Sequence, residues 1–134
     1  MTSTSTLQLN KHIWLEHVLA ENRRELDKLI GTLADDCVYE VVPTGQVFRG
    51  KNEVSAFYRS LWNAVPDAKL DLQEHYISQN GVVEESVLVG HPVGPIFGFE
   101  PNGKAISVPM AIFFPMRDGK ILGERIYFDP ATLH

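Results

Sequence analysis

Few residue types in this chain can move protons, and they lie at separate points along it. Asp129 ends the stretch "GERIYFDP", four residues after Arg125 and just before Pro130. An aspartate before proline either caps a strand end in water or sits at the mouth or floor of a pocket. An ordinary aspartate, with a pKa of ~3.9, is a weak base at neutral pH, and only desolvation in an apolar pocket would raise it. By alternation Tyr127 and Arg125 share a strand face with Asp129, and a close guanidinium would oppose such a rise. His91 continues the phase Val87, Val89 and would share a face with two apolar side chains. It is either a hydrogen-bonded core or rim residue or a proton carrier, since imidazole titrates near ~6.5. Tyr39 and Glu40 alternate, so one of them faces inward. Tyr39 is the one expected inside, because a lone buried carboxylate is costly.

Other side chains could shape a cavity or simply fill a core. His17 and Trp14 share a helical face with Ile13 and Val18, which suits packing, a dimer contact or a second polar group in a cavity. Tyr58 and Trp62 form an aromatic ridge with Phe57 and Leu61. Met110, Phe113, Phe114 and Met116 are soft apolar walls. No metal centre is expected: His12/Glu16 and His17/Glu21 are the i, i+4 pairs, and they read as solvated helix neighbours. "GHPVGPIFG" opens no helix and is not a phosphate loop.

Composition narrows the classes. The 134 residues fit one domain. Twelve Lys and Arg against 17 Asp and Glu give a net charge of −5, and without a basic stripe nucleic acid is not expected as a partner. The single cysteine, Cys37, permits no internal disulfide and fits a reducing compartment. The N-terminus lacks the regions of a signal peptide, and no apolar run reaches the ~20 residues of a membrane span. A soluble, cytoplasmic protein is expected, with a flexible tail over residues 1–6 and a single domain over 7–134.

The elements that must position these residues follow from periodicity. Residues 7–20 read as a helix. Asn22 and Glu25 match a capping box that would start a second one, carrying Leu26, Leu29, Ile30 and Leu33. "CVYEVV" is a short strand. The stripe Val54, Phe57, Tyr58, Leu61, Trp62, Val65 marks the clearest helix, stopped by Pro66. Asn80-Gly81, Asn102-Gly103 and Asp118-Gly119 then divide the rest into strands near 69–79, 82–91, 104–116 and 120–129, an antiparallel meander. Pro109 and Pro115 predict a bulge or bend in the third of these strands. The Gly- and Pro-rich loop "GHPVGPIFGFEPNGK" is expected along the mouth or edge of the curled sheet.

This order, with "LADDCVYEVVPTG", "FRGKNEVSAFYRSLW", "GHPVGPIFGFEPNGK" and "RDGKILGERIYFD", resembles the SnoaL-like polyketide cyclase branch of the nuclear transport factor 2-like superfamily. The resemblance implies an α+β, cone-shaped, cystatin-like fold in which a curved antiparallel sheet wraps around N-terminal helices, commonly as a homodimer. It also implies a cofactor-independent cyclase or isomerase acting on a small apolar carbonyl compound. Asp129 matches the general acid/base of the cyclases, His91 the histidine of their middle meander, and Tyr39 would polarise an oxygen. Trp14, His17, Tyr58, Trp62, Met110, Phe114, Arg125 and Tyr127 would form the substrate pocket. Two related catalytic sets are incomplete: Val41 stands where ketosteroid isomerases carry their base, and Ser86 and Leu88 where limonene-type epoxide hydrolases carry an Arg-x-Asp pair. A non-catalytic binding module, or an epoxide hydrolase with a rearranged water site, are the alternatives.

Overall fold

The computed structural model describes residues 3–133. Helices α1 (Ser3–Asn22) and α2 (Leu26–Gly31) are followed by strands β1 (Leu33–Val41) and β2 (Gln46–Arg49), helix α3 (Gly50–Ala64), and strands β3 (Lys69–Ser78), β4 (Gly81–Gly90), β5 (Ile106–Arg117) and β6 (Lys120–Phe128). A short 3-10 helix, Pro130–Leu133, follows. The six strands form one curved, unclosed sheet in the order β2-β1-β6-β5-β4-β3, and the helices pack on it, giving the expected α+β class.

Several elements differ from expectation. Of the supposed tail, residues 3–6 are the first turn of α1, while residues 1 and 2 lie outside the described part. Asn22 does not cap α2; its amide clamps the backbone of Leu70, donating to the carbonyl at 2.9 Å and accepting from the N–H at 3.0 Å. Leu33, expected on the second helix, instead opens β1, which also contains Asp35 and Asp36. The sheet is not purely a meander, because β1 runs parallel to β6. Asn80-Gly81 and Asp118-Gly119 do join paired strands. At Asp118-Gly119 both residues have positive φ, +53° and +73°, as a tight twisted hairpin requires. Asn102-Gly103 lies instead inside a long loop, 91–105, between β4 and β5.

One irregularity decides what the last strand presents to the interior. Phe113 pairs with Arg125 but Met116 pairs with Ile121, so β6 spends one more residue than β5 between these pairs. Pro115 lies opposite this bulge and lacks the N–H that would extend the ladder there. Gly123 sits in it at φ +145°, where an added Cβ would lie 1.8 Å from the Val38 carbonyl oxygen. Across Gly123 the inward phase passes from Ile121 to Glu124 and Ile126. Leu29, Leu33, Val41, Val54 and Ile121 are fully buried beneath the sheet, each contributing roughly 1.5–3 kcal/mol.

Candidate functional site

A chain of polar side chains runs through this core. Thr32 follows α2 and gives its one hydroxyl hydrogen to the Leu29 carbonyl, 2.6 Å away. His17 Nδ1, 2.8 Å from Thr32 Oγ1, must therefore be the donor to it. That fixes the imidazole: Nδ1 is protonated and Nε2 faces Glu124 Oε2 at 3.0 Å. Nε2 and Oε2 share one proton between them. Tyr58, on α3, donates to the same Oε2 at 3.0 Å, and Tyr39 of β1 donates to the Tyr58 oxygen at 2.6 Å. His17 and Tyr39 are 0% exposed, Tyr58 1% and Glu124 3%. Burial, reinforced by the Glu124 charge, pushes both phenols well above the usual tyrosine range.

Glu21, one turn beyond His17 on α1, completes the group. Its carboxyl and those of its neighbours bring ligand-type atoms of His17, Glu21 and Glu124 within 4.8 Å of one another. Burial first, then the Glu124 and Glu84 charges, holds Glu21 well above the ordinary carboxylate range. Among the described residues these three could hold a metal ion, with the nitrogen and oxygen donors that suit Zn²⁺, and equally they compete for protons. Glu21 and Glu124 line a narrow hollow walled by Phe57, Tyr58, Leu61, Leu70, Leu88, Phe97, Met110, Ile112 and Ile126. Its cavity volume is about 20 Å³, room for about one water. A wider groove of about 510 Å³, lined among others by Glu16, Arg23, Lys28 and Lys120, lies between α1, α2 and the β5–β6 turn, away from Glu124.

A second buried acid lies on β4. Glu84 is 0% exposed; its Oε1 accepts from the Trp14 indole at 3.0 Å, while Oε2 and the nearby Ser86 Oγ have no partner. Burial pushes Glu84 up to about 7.

The residues singled out in the sequence divide between inside and outside. Tyr39, rather than Glu40, points inward, and Tyr58 and Met110 line the hollow. Trp14 serves Glu84 and stacks on His75, Phe114 meets the His17 ring edge-on at 5.5 Å, and Trp62 packs on Tyr58 beside a side crevice that includes Glu21. The expectation for Asp129 is corrected: it is exposed, and its Oδ1 accepts from the Ala131 N–H to cap the 3-10 helix. Arg125 and Tyr127 do share its face, but that face is the outer one, where both pack on Phe113. His91 is also outside. The inward phase of β4 carries Val82, Glu84, Ser86 and Leu88, so the odd-numbered residues face away. His91 pairs at the rim with Asp67, Nδ1 to Oδ2 at 2.6 Å, and that hydrogen bond lowers the Asp67 pKa. The pair His17/Glu21 is not solvated as expected, unlike His12/Glu16, which is exposed and 3.2 Å apart. Glu124, Glu21 and Glu84 were missed. Their signal is a carboxylate in phase with apolar neighbours, as Glu124 is with Ile126 and Phe128.

No described helix is long and apolar enough to cross a membrane. Comparison with known proteins finds no match among curated proteins. The fold recurs in many solved structures. A provisionally named polyketide cyclase of Xanthomonas campestris is 22% identical with a TM-score of 0.81, covering 94% of both chains. A provisionally named SnoaL-like polyketide cyclase of Jannaschia sp. CCS1 is 20% identical with a TM-score of 0.81, covering 92% of this chain and 88% of that one. IdmH of Streptomyces antibioticus, also provisionally named a polyketide cyclase, is 20% identical with a TM-score of 0.76 over 92% and 94%. At these identities the likeness establishes the cone fold. The family assignment comes from the sequence itself, which matches the SnoaL-like polyketide cyclase model over residues 8–134, and the chain belongs to that family.

Proposed function

We propose that this protein is an acid–base catalyst without a cofactor, acting on a small apolar carbonyl compound bound in the cone. The observation that carries the reading is the juxtaposition of two carboxyls of unlike surroundings at one hollow. Glu124 is held by His17 and Tyr58 through Oε2, while desolvation, then the Glu124 and Glu84 charges, raises the Glu21 pKa well above the ordinary carboxylate range and favours its protonated form. Two acids whose environments differ supply a base and an acid in one site. Glu124 takes a proton from the carbon next to the substrate carbonyl, with His17 orienting the carboxylate and sharing the charge. Glu21 gives a hydrogen bond, and then its proton, to the carbonyl oxygen as negative charge gathers there. The enol so formed either takes a proton back from Glu124 at another carbon of a conjugated enol, or attacks a second carbonyl of the same molecule, forming a C–C bond as Glu124 protonates that oxygen; in either case the enol hydroxyl returns its proton to Glu21 as the first carbonyl re-forms. Tyr39 supports the site through Tyr58 rather than touching substrate. The role assigned in the sequence to Asp129 and His91 moves to Glu124 and His17.

The test is solvent-deuterium exchange at the α-carbon across a panel of small cyclic and aromatic ketones. Glu124→Gln should lower the exchange rate by about 10²–10⁴-fold, while Asp129→Asn leaves it unchanged. Equal rates in wild type and Glu124→Gln would refute the assignment. A binding module without turnover is favoured by one observation, the hollow's volume of about 20 Å³; ligand binding with no exchange on any ketone would select it. Pairing of two copies through the outer sheet face, where Tyr76 and Tyr127 are exposed, and a cytoplasmic location, which suits the single buried Cys37, complete the proposal.

A further inference from the structure

The hollow that holds Glu21 and Glu124 admits about one water, yet a groove of about 380 Å³ lies directly beside it, between β2, α3 and the 91–105 loop. Phe57, Leu61 and Phe97 line both spaces. They are the partition. Phe57 and Leu61 are fixed on α3, whereas Phe97 stands on the loop. Its ring is wedged between Phe57, at 6.3 Å, and Phe128, at 5.0 Å. Phe97 also carries a backbone that a phenylalanine rarely adopts, with φ +51° followed by Gly98 at +85°. The two residues form the tip of a turn closed by paired hydrogen bonds between Ile96 and Phe99, 2.9 and 2.8 Å. The hydrogen bonds that close the turn are all backbone bonds, so rotation of the Phe97 ring about its own side-chain bonds breaks none of them. The ring can therefore swing while the turn persists.

We propose that Phe97 is the gate between the outer groove and the acid-bearing hollow, and that the two spaces joined form the binding site for a flat, neutral, mostly apolar molecule. The proposal rests on the catalytic reading above only for what happens after binding. Size and charge set the ligand class. The groove alone is already within the range of small-molecule sites, about 300–1,000 Å³. No lysine or arginine lines either space, and the hollow offers only carboxyls as charged groups. An anion would meet like charge in a poorly screened interior. A ring system sliding past Phe57 would stack where the Phe97 ring now lies, with its leading oxygen directed toward Glu21 and Glu124.

Stopped-flow binding of 2-naphthol, followed by intrinsic tryptophan fluorescence, tests this without requiring turnover. If the gate is open about a tenth of the time, Phe97→Ala raises the association rate about tenfold, because the closed fraction no longer blocks access. Phe97→Leu falls between it and wild type and serves as the measure should the alanine variant fold poorly. Phe97→Trp slows association. A merely structural role would change the unfolding midpoint and leave these rates alone. Equal association rates in all the variants would overturn the gate, as would the absence of saturable binding by both wild type and Phe97→Leu. Gated binding with no α-proton exchange would leave the gate standing and defeat the catalytic reading.

Discussion

Replacing Glu84 by glutamine should make the protein more stable, and only at neutral and alkaline pH. Glu84 is fully buried on β4, with one oxygen on the Trp14 indole and the other without a partner. Burial raises its pKa from the ordinary 4.5 to about 7; the nearby Ser86 hydroxyl opposes the rise, the Glu124 charge adds to it, and Trp14 and His17 oppose it further. The folded state thus holds this proton more tightly than the unfolded state does. The stabilisation is fully present below pH 4.5 and is lost as pH rises through 7. A rise of this size corresponds to about 3 kcal/mol. Glutamine keeps the acceptor for Trp14, carries no charge, and offers its amide to the unpaired Ser86 hydroxyl. Urea unfolding of both proteins from pH 5 to 8.5 isolates the effect, because the other titrating groups cancel in the difference. The variant should match wild type within about 1 kcal/mol near pH 5 and exceed it by about 3 kcal/mol near pH 8, a melting-temperature gap of roughly 10 °C. A stability difference that stays flat with pH would refute the reasoning, since it would mean that the carboxyl is hydrated or ionised in the folded state throughout.

The remaining predictions concern the polar chain and the outer acids. Tyr39 and Tyr58 are buried and their phenols are pushed well above the usual range; alkaline titration followed at 295 nm should show these two ionising only as the protein unfolds. Asp129→Ala should cost about 1 kcal/mol through the lost cap and leave α-proton exchange at the wild-type rate, read by chemical denaturation and by deuterium uptake. Tyr58→Phe strips Tyr39 of its acceptor and Glu124 of a donor, so it should cost about 1–3 kcal/mol and slow exchange as well.

Much of the architecture could be read from residue order. The stripe of α3 and the turn residues at Asn80-Gly81 and Asp118-Gly119 each carry a local physical requirement that the fold obeys. Asn102-Gly103 carries the same requirement and satisfies it inside a loop, where Lys104 N–H bonds to Asn102 Oδ1 at 3.0 Å; a turn signal does not say whether strands flank it. The pairing of β1 with β6 depends on contacts some 85 residues apart, which no local pattern encodes. The site was legible in type but placed on the wrong face of the strands. Alternation correctly put Arg125, Tyr127 and Asp129 together, yet a period of two does not say which face is inside. The apolar set Ile126 and Phe128 marks the inner face of β6, and Glu124 is the acid belonging to it. On β4 the inner face carries Glu84 and Ser86, two polar residues that made it look like the solvent side. Tyr39 is placed inward by the cost of burying Glu40, but that same cost argues against Glu84 and Glu124, which the protein does bury, each with a hydrogen-bond partner.

The position of β6 between β1 and β5 also governs the order in which the protein can be completed during synthesis. Residues 120–128 follow all the other strands in sequence, and they form the seam that joins the amino-terminal strands to the rest of the sheet. Until they arrive, β1 has its hairpin partner β2 but no link to the later strands, and His17 waits without its carboxylate. The buried group around His17 therefore assembles only once β6 has docked, because Glu124 stands on that strand.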